Sequence, residues 1–105
     1  MATAGNGQPR FRVHLSGKIA QTVRLLQEQA IQEGRAPAFV IAFRSMTQHL
    51  LNSPMDFGEP LYHLPALRLQ VRHALIGPLV VYLAVHQDRP LVFLKELTLL
   101  PPEES

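Results

Sequence analysis

The sequence predicts an α+β domain: an N-terminal strand, an αα-hairpin, then a three-stranded antiparallel meander in one mainly antiparallel sheet with both helices on one face. Three observations carry this. Residues 10–15 alternate apolar and polar with period two. Residues 17–52 hold two apolar stripes at helical spacing, separated by Gly34 and Pro37. The last forty residues break into three apolar runs at Gly77-Pro78 and at Gln87-Asp88-Arg89-Pro90.

In the first strand, Phe11, Val13 and Leu15 face one side and Arg10, Arg12 and His14 the other. Ser16 is placed to cap a helix from Gly17, its hydroxyl accepting from a free N–H of the first turn. Ile19, Val23, Leu26 and Ala30 form the apolar stripe of that helix, and Gly34 suits the residue just past its end. Pro37 fits the first turn of a second helix, where its missing N–H costs nothing. Phe39, Phe43, Met46 and Leu50 are its core stripe, and Asn52-Ser53-Pro54 stops it.

Met55 to Pro60 is expected to be turn rather than regular structure, with Phe57 plugging the core edge. In the meander, Leu67, Leu69, Val71 and Leu75 alternate with Arg68, Gln70 and Arg72, which puts the leucines toward the helices and the cations outward. Leu79 to Val85 is nearly all apolar and reads as the central strand, buried on both faces. Leu91 to Leu100 is the last strand. Residues 1–9 read as a flexible leader, 10–101 as the domain and 102–105 as a polar tail.

With 47% hydrophobic and 17% charged residues, the composition excludes a disordered chain. A chain of this size buries about 65% of its unfolded surface, enough for one core without staples. No cysteine is present, which excludes disulfides and thiolate metal sites. The apolar stretch from Leu75 to Val85 is too short to span a bilayer, and a cytoplasmic location is expected. The formal charge of +2 is too small to imply nucleic acid by itself.

His14, His49, His63, His73 and His86 have no metal-ligand spacing, so no metal and no cofactor is expected. His73, on the apolar side of its strand, reads as a partly buried, hydrogen-bonded histidine. Ser16, Ser45 and Ser53 lack a nucleophile elbow, and Asp56 and Glu59 read as turn formers around Gly58. If the strands lie in one sheet, Arg10, Arg12, His14, Arg68, Gln70 and Arg72 should share the open face, as a site for phosphates or an acidic helix. An exposed sheet face also carries such residues for solvation alone.

The Leu15-Ser16 junction, the helix pair, "MDFGEPLYHLPAL" and the meander "LRLQVRHALIGPLVVYLAVHQDRPLVFLKELTLLP" together resemble the RelE/ParE superfamily of small toxins, over residues 10–101. That resemblance implies a type II toxin with an antitoxin protein as partner. Its target would be DNA gyrase for the ParE-like branch, or messenger RNA on the ribosome for the cleaving RelE-like branch. For cleavage, the resemblance points to Arg68, Arg72, Tyr82 and Lys95 as candidate catalytic residues, acting by stabilising charge on the phosphate. Beyond Lys95, residues 96–105 contain no Arg, Lys, His or Tyr, so the C-terminal catalytic residue of the RelE-like branch is missing. The expectation is therefore a ParE-like toxin acting by protein binding, with mRNA cleavage or a degenerate, non-toxic member as alternatives. A homodimer through the apolar meander is a further expectation.

Overall fold

A computed structural model describes residues 10–102. The leader at 1–9 and the tail residues 103–105 lie outside the described residues. The elements in chain order are β1 (Arg12–Leu15), α1 (Gly17–Gln32), α2 (Ala36–Asn52), β2 (Glu59–Leu64), β3 (Leu69–Ile76), β4 (Leu79–His86) and β5 (Leu91–Leu99). Short 3-10 turns at Pro54–Asp56 and Pro65–Leu67 flank β2.

The helix boundaries follow from their capping residues. Ser16 holds an extended backbone and its Oγ accepts from the Ile19 amide at 3.1 Å. At the other end Gly34 sits at φ +73°. Its N–H donates to Ile31 and the Arg35 N–H donates to Ala30, at 3.1 and 2.7 Å. That double closure is a Schellman motif, and it needs the left-handed conformation glycine adopts without penalty. Pro37 lies in the first turn of α2, as its sequence position requires.

The sheet order is β1-β5-β4-β3-β2. β1 runs parallel to β5, and the other three pairings are antiparallel. Because β1 precedes the helices, the αα-hairpin acts as the crossover that returns the chain to the same sheet. Both helices pack on one face: Ile19, Ala30, Phe39, Ala42, Met46 and Leu50 meet Ala74, Leu79, Val81, Leu83, Val85, Val92, Leu94 and Leu97. Val13 from β1, and Phe11 just before it, close the edge of that core.

Two expectations are corrected. Glu59–Leu64 is a strand, β2, and the sheet has five strands rather than four. Its Pro60, its bulge between Pro60 and Tyr62 and its weak alternation hid it, and all three suit an edge strand. The faces of β3 are also reversed. Ala74 and Ile76 point to the helices, so Gln70 and Arg72 share that side, and Leu69, Val71, His73 and Leu75 point away. Leu67 and Arg68 lie in and just after a 3-10 turn, outside the strand, so the alternation that starts from them does not run into β3.

Candidate functional site

Arg72 is the one charged residue buried among the described residues, at 6% exposure. Its Nε donates to the Phe57 carbonyl at 3.0 Å and its Nη2 to the Gly58 carbonyl at 2.9 Å. Its Nη1 donates to Gln70 Oε1 at 2.6 Å. The guanidinium therefore fastens the turn before β2 onto β3, and its donors on all three nitrogens are engaged. Gly58 makes this approach feasible. A Cβ there would lie 1.9 Å from the His73 carbonyl oxygen, and the residue holds φ +71°. Phe57 stacks on His49 of α2 with ring centroids 4.7 Å apart, so the plug expected at the core edge is in place and anchored from both sides.

Arg68 stands outside the sheet. It adopts φ 55°, left-handed backbone, at the end of the second 3-10 turn, and its side chain pairs with Asp88 in the β4–β5 turn. That hydrogen bond from Arg68 holds the Asp88 carboxyl below the usual carboxylate range. The same turn is organised by His86, whose Nδ1 accepts from the Asp88 and Arg89 amides at 3.0 and 3.1 Å. Lys95 falls at the β-bulge of β5, between Leu94 opposite Leu83 and Glu96 opposite Tyr82. It lines a surface cleft with Ser16, Lys18 and Thr22 at the start of α1, and neither Tyr82 nor Arg72 lines that cleft.

The six residues expected on one basic face are thus divided. Arg12 and His14 do project from the open face, because their neighbours Val13 and Leu15 turn to the helices. Arg10 is exposed just before β1. Gln70 and Arg72 belong to the helix-covered side, and Arg68 belongs to a turn. Of the four candidate catalytic residues, Tyr82 alone lies on the open face, and the four do not converge.

What occupies the open face is mostly apolar and aromatic. Register defines its rows. One row runs Glu59, His73, Tyr82, Glu96; the next runs Tyr62, Val71, Ala84, Phe93, His14. Beyond them lie Leu75, Val80 and Thr98 at one end, and Leu64, Leu69 and His86 at the other. His73 stacks on Tyr82 with centroids 6.1 Å apart, and His14 lies 5.5 Å from Phe93. His73 is half-buried as expected, and its neighbour is this aromatic ring. Val71 and Ala84 are only 2% exposed although no helix covers this face, because the rings beside them wall them in. The side chains of the face therefore close over these two small residues, and the face is a layer of rings and aliphatic side chains rather than an open groove. The sequence signal for it was present in Leu69, Val71, Leu75, Tyr82 and Phe93, but an apolar strand side reads as core by default.

Among the described residues, no cluster of His, Asp and Glu could hold a metal ion, and no helix is long and apolar enough to cross a membrane. Comparison of the chain with protein-family models, curated proteins and solved structures found no match.

Proposed function

We propose that this chain is a toxin-like protein of the RelE/ParE type that acts in the cytoplasm by binding a protein target, with an antitoxin as its masking partner. The observation that carries this is the character of the open sheet face. It presents Tyr62, Val80, Tyr82, Leu75 and Phe93, and its charges are confined to Arg12, Glu59 and Glu96. Apolar and aromatic surface with few charges suits a protein partner. A phosphate backbone needs several free cations, and here Arg72 is spent on carbonyls and Arg68 on Asp88. The order of strand, helix pair and meander, with both helices on one side, supports the family assignment.

The separation of Tyr82, on the open face, from Arg72, on the helix-covered side, and from Arg68, in a turn, favours binding over RNA cleavage. Inducing the chain alone in a bacterium, with RNA ends mapped in the same culture, tests it. Growth arrest without new RNA ends is expected. Arrest with codon-linked cuts would transfer the assignment to a ribonuclease, and unimpaired growth at full expression would defeat both.

A further inference from the structure

We infer that the side of α2 carrying Phe43 and Thr47 binds a small amphipathic carboxylate, a straight-chain acid whose head pairs with Arg44 and whose tail lies among apolar side chains. The site is separate from the open sheet face, and the inference does not depend on a toxin-like activity.

Two spaces meet on this side of α2. One is a groove of about 400 Å³ between α1 and α2, with Val23, Phe39 and Val40 in its walls. The other is a cavity of about 240 Å³ between α2 and strands β1 and β5, lined by Val13, Leu15, Leu94, Met46, Leu50 and Leu51. Phe43 and Thr47, one helical turn apart, line both, so the two spaces abut along α2. Together they fall within the roughly 300–1,000 Å³ of small-molecule sites. Leu15 on the wall of the inner cavity is 44% exposed, so the space is open rather than sealed.

The two spaces differ in chemistry. The inner cavity has one polar side chain, Thr47, and its hydroxyl already donates to the Phe43 carbonyl at 2.9 Å. Met46 and Leu50 beside it are 1% exposed. An apolar cavity of this kind stays dry and takes apolar groups; about 150 Å³ is enough for benzene. The outer groove instead carries Gln27, Arg44 and Gln48, and no carboxylate lines either space. The ion pairs among the described residues are Arg35 with Glu33 and Arg68 with Asp88, which leaves Arg44 without an acidic partner. A guanidinium accommodates a carboxylate through two parallel hydrogen bonds. The site therefore has a cation at one end and hydrocarbon at the other, which fixes both the sign of the head group and the nature of the tail.

Length and width select the occupant further. From Arg44 to Leu51 the helix advances about 10 Å. An extended alkyl chain gains about 1.25 Å per methylene, so an acid of about eight to ten carbons covers that distance. A peptide helix, about 10 Å across, is too wide for the inner cavity.

Calorimetric titration of the full chain with straight-chain acids from hexanoate to tetradecanoate tests this. Binding of one acid per chain is expected, with decanoate on the order of tens of micromolar. Each added methylene should strengthen binding about fourfold up to about ten carbons and have little effect beyond. Decylammonium, the same tail with the opposite charge, should bind at least about tenfold more weakly. Arg44→Gln, at an exposed position, should weaken decanoate about tenfold or more and keep the dependence on chain length. Arg24→Gln, exposed on α1 outside both spaces, should change nothing. Leu51→Trp, which fills the inner cavity, should remove the dependence on chain length. Should that variant fail to fold, methyl NMR of the wild type decides, with decanoate shifting Leu15, Leu50 and Leu51. No binding of millimolar decanoate, equal binding of decylammonium, or an unchanged chain-length dependence in folded Leu51→Trp would each overturn the inference. Methyl shifts confined to Leu75 and Val80, on the open sheet face, would overturn it as well.

Discussion

Arg72 shows how one side chain decides between two functional pictures. Seen only as a cation on a strand, it is a candidate for phosphate chemistry; with three hydrogen bonds to two carbonyls and a glutamine, it is a fastener. Arg72→Ala would leave the Phe57 carbonyl unpaired in a buried place and the Gly58 carbonyl unpaired in a half-buried one, at a cost of about 2–4 kcal/mol in chemical denaturation. Gly58→Ala meets both a left-handed backbone and the His73 carbonyl, and is expected to unfold the domain near physiological temperature, followed by circular dichroism. Arg68 and Asp88 illustrate the opposite limit, an exposed pair. The folded carboxyl titrates below its unfolded value, so its small contribution is complete above the unfolded value and fades as pH falls through the folded one. Arg68→Ala should return the Asp88 titration to the ordinary carboxylate range, as read by carboxyl-carbon NMR.

At the scale of elements, the helices were fully legible because their signals are local. Ser16, Gly34 and Pro37 mark the boundaries by hydrogen-bonding capacity and backbone preference alone. Ser16→Ala is expected to cost about 1 kcal/mol in thermal unfolding. Gly34→Ala, in open space but at positive φ, should cost about 1–2 kcal/mol in the same measurement, from backbone strain without any clash. The strands were less legible where their partners are distant in sequence. β2 pairs at one edge only and is interrupted by Pro60, so neither alternation nor propensity announces it. β3 is apolar on the side that faces away from the helices, and its cation is on the covered side. Period two alone fixes that neighbouring residues face opposite ways; it does not say which way is in.

For the whole molecule, the layer arrangement followed from the order of elements, since a helix pair between β1 and the meander can cover only one face of a sheet they share. The candidate site was legible only in part. Arg12 and His14 are on the open face as expected, and Tyr82 joins them there from a strand expected to be buried on both faces, whereas the basic cluster dissolves once Arg72 turns inward and Arg68 leaves the strand. What remains is an apolar and aromatic face, and the proposed protein binding is tied to that one surface. The most direct measurement is growth arrest on induction, compared at matched soluble levels for the wild type, Tyr62→Glu with Leu75→Glu, and Arg68→Ala. Arrest that is lost in the first variant and retained in Arg68→Ala is the expected result. Arrest retained when the open face is charged but lost with Arg68 would contradict it, and would return function to the cations.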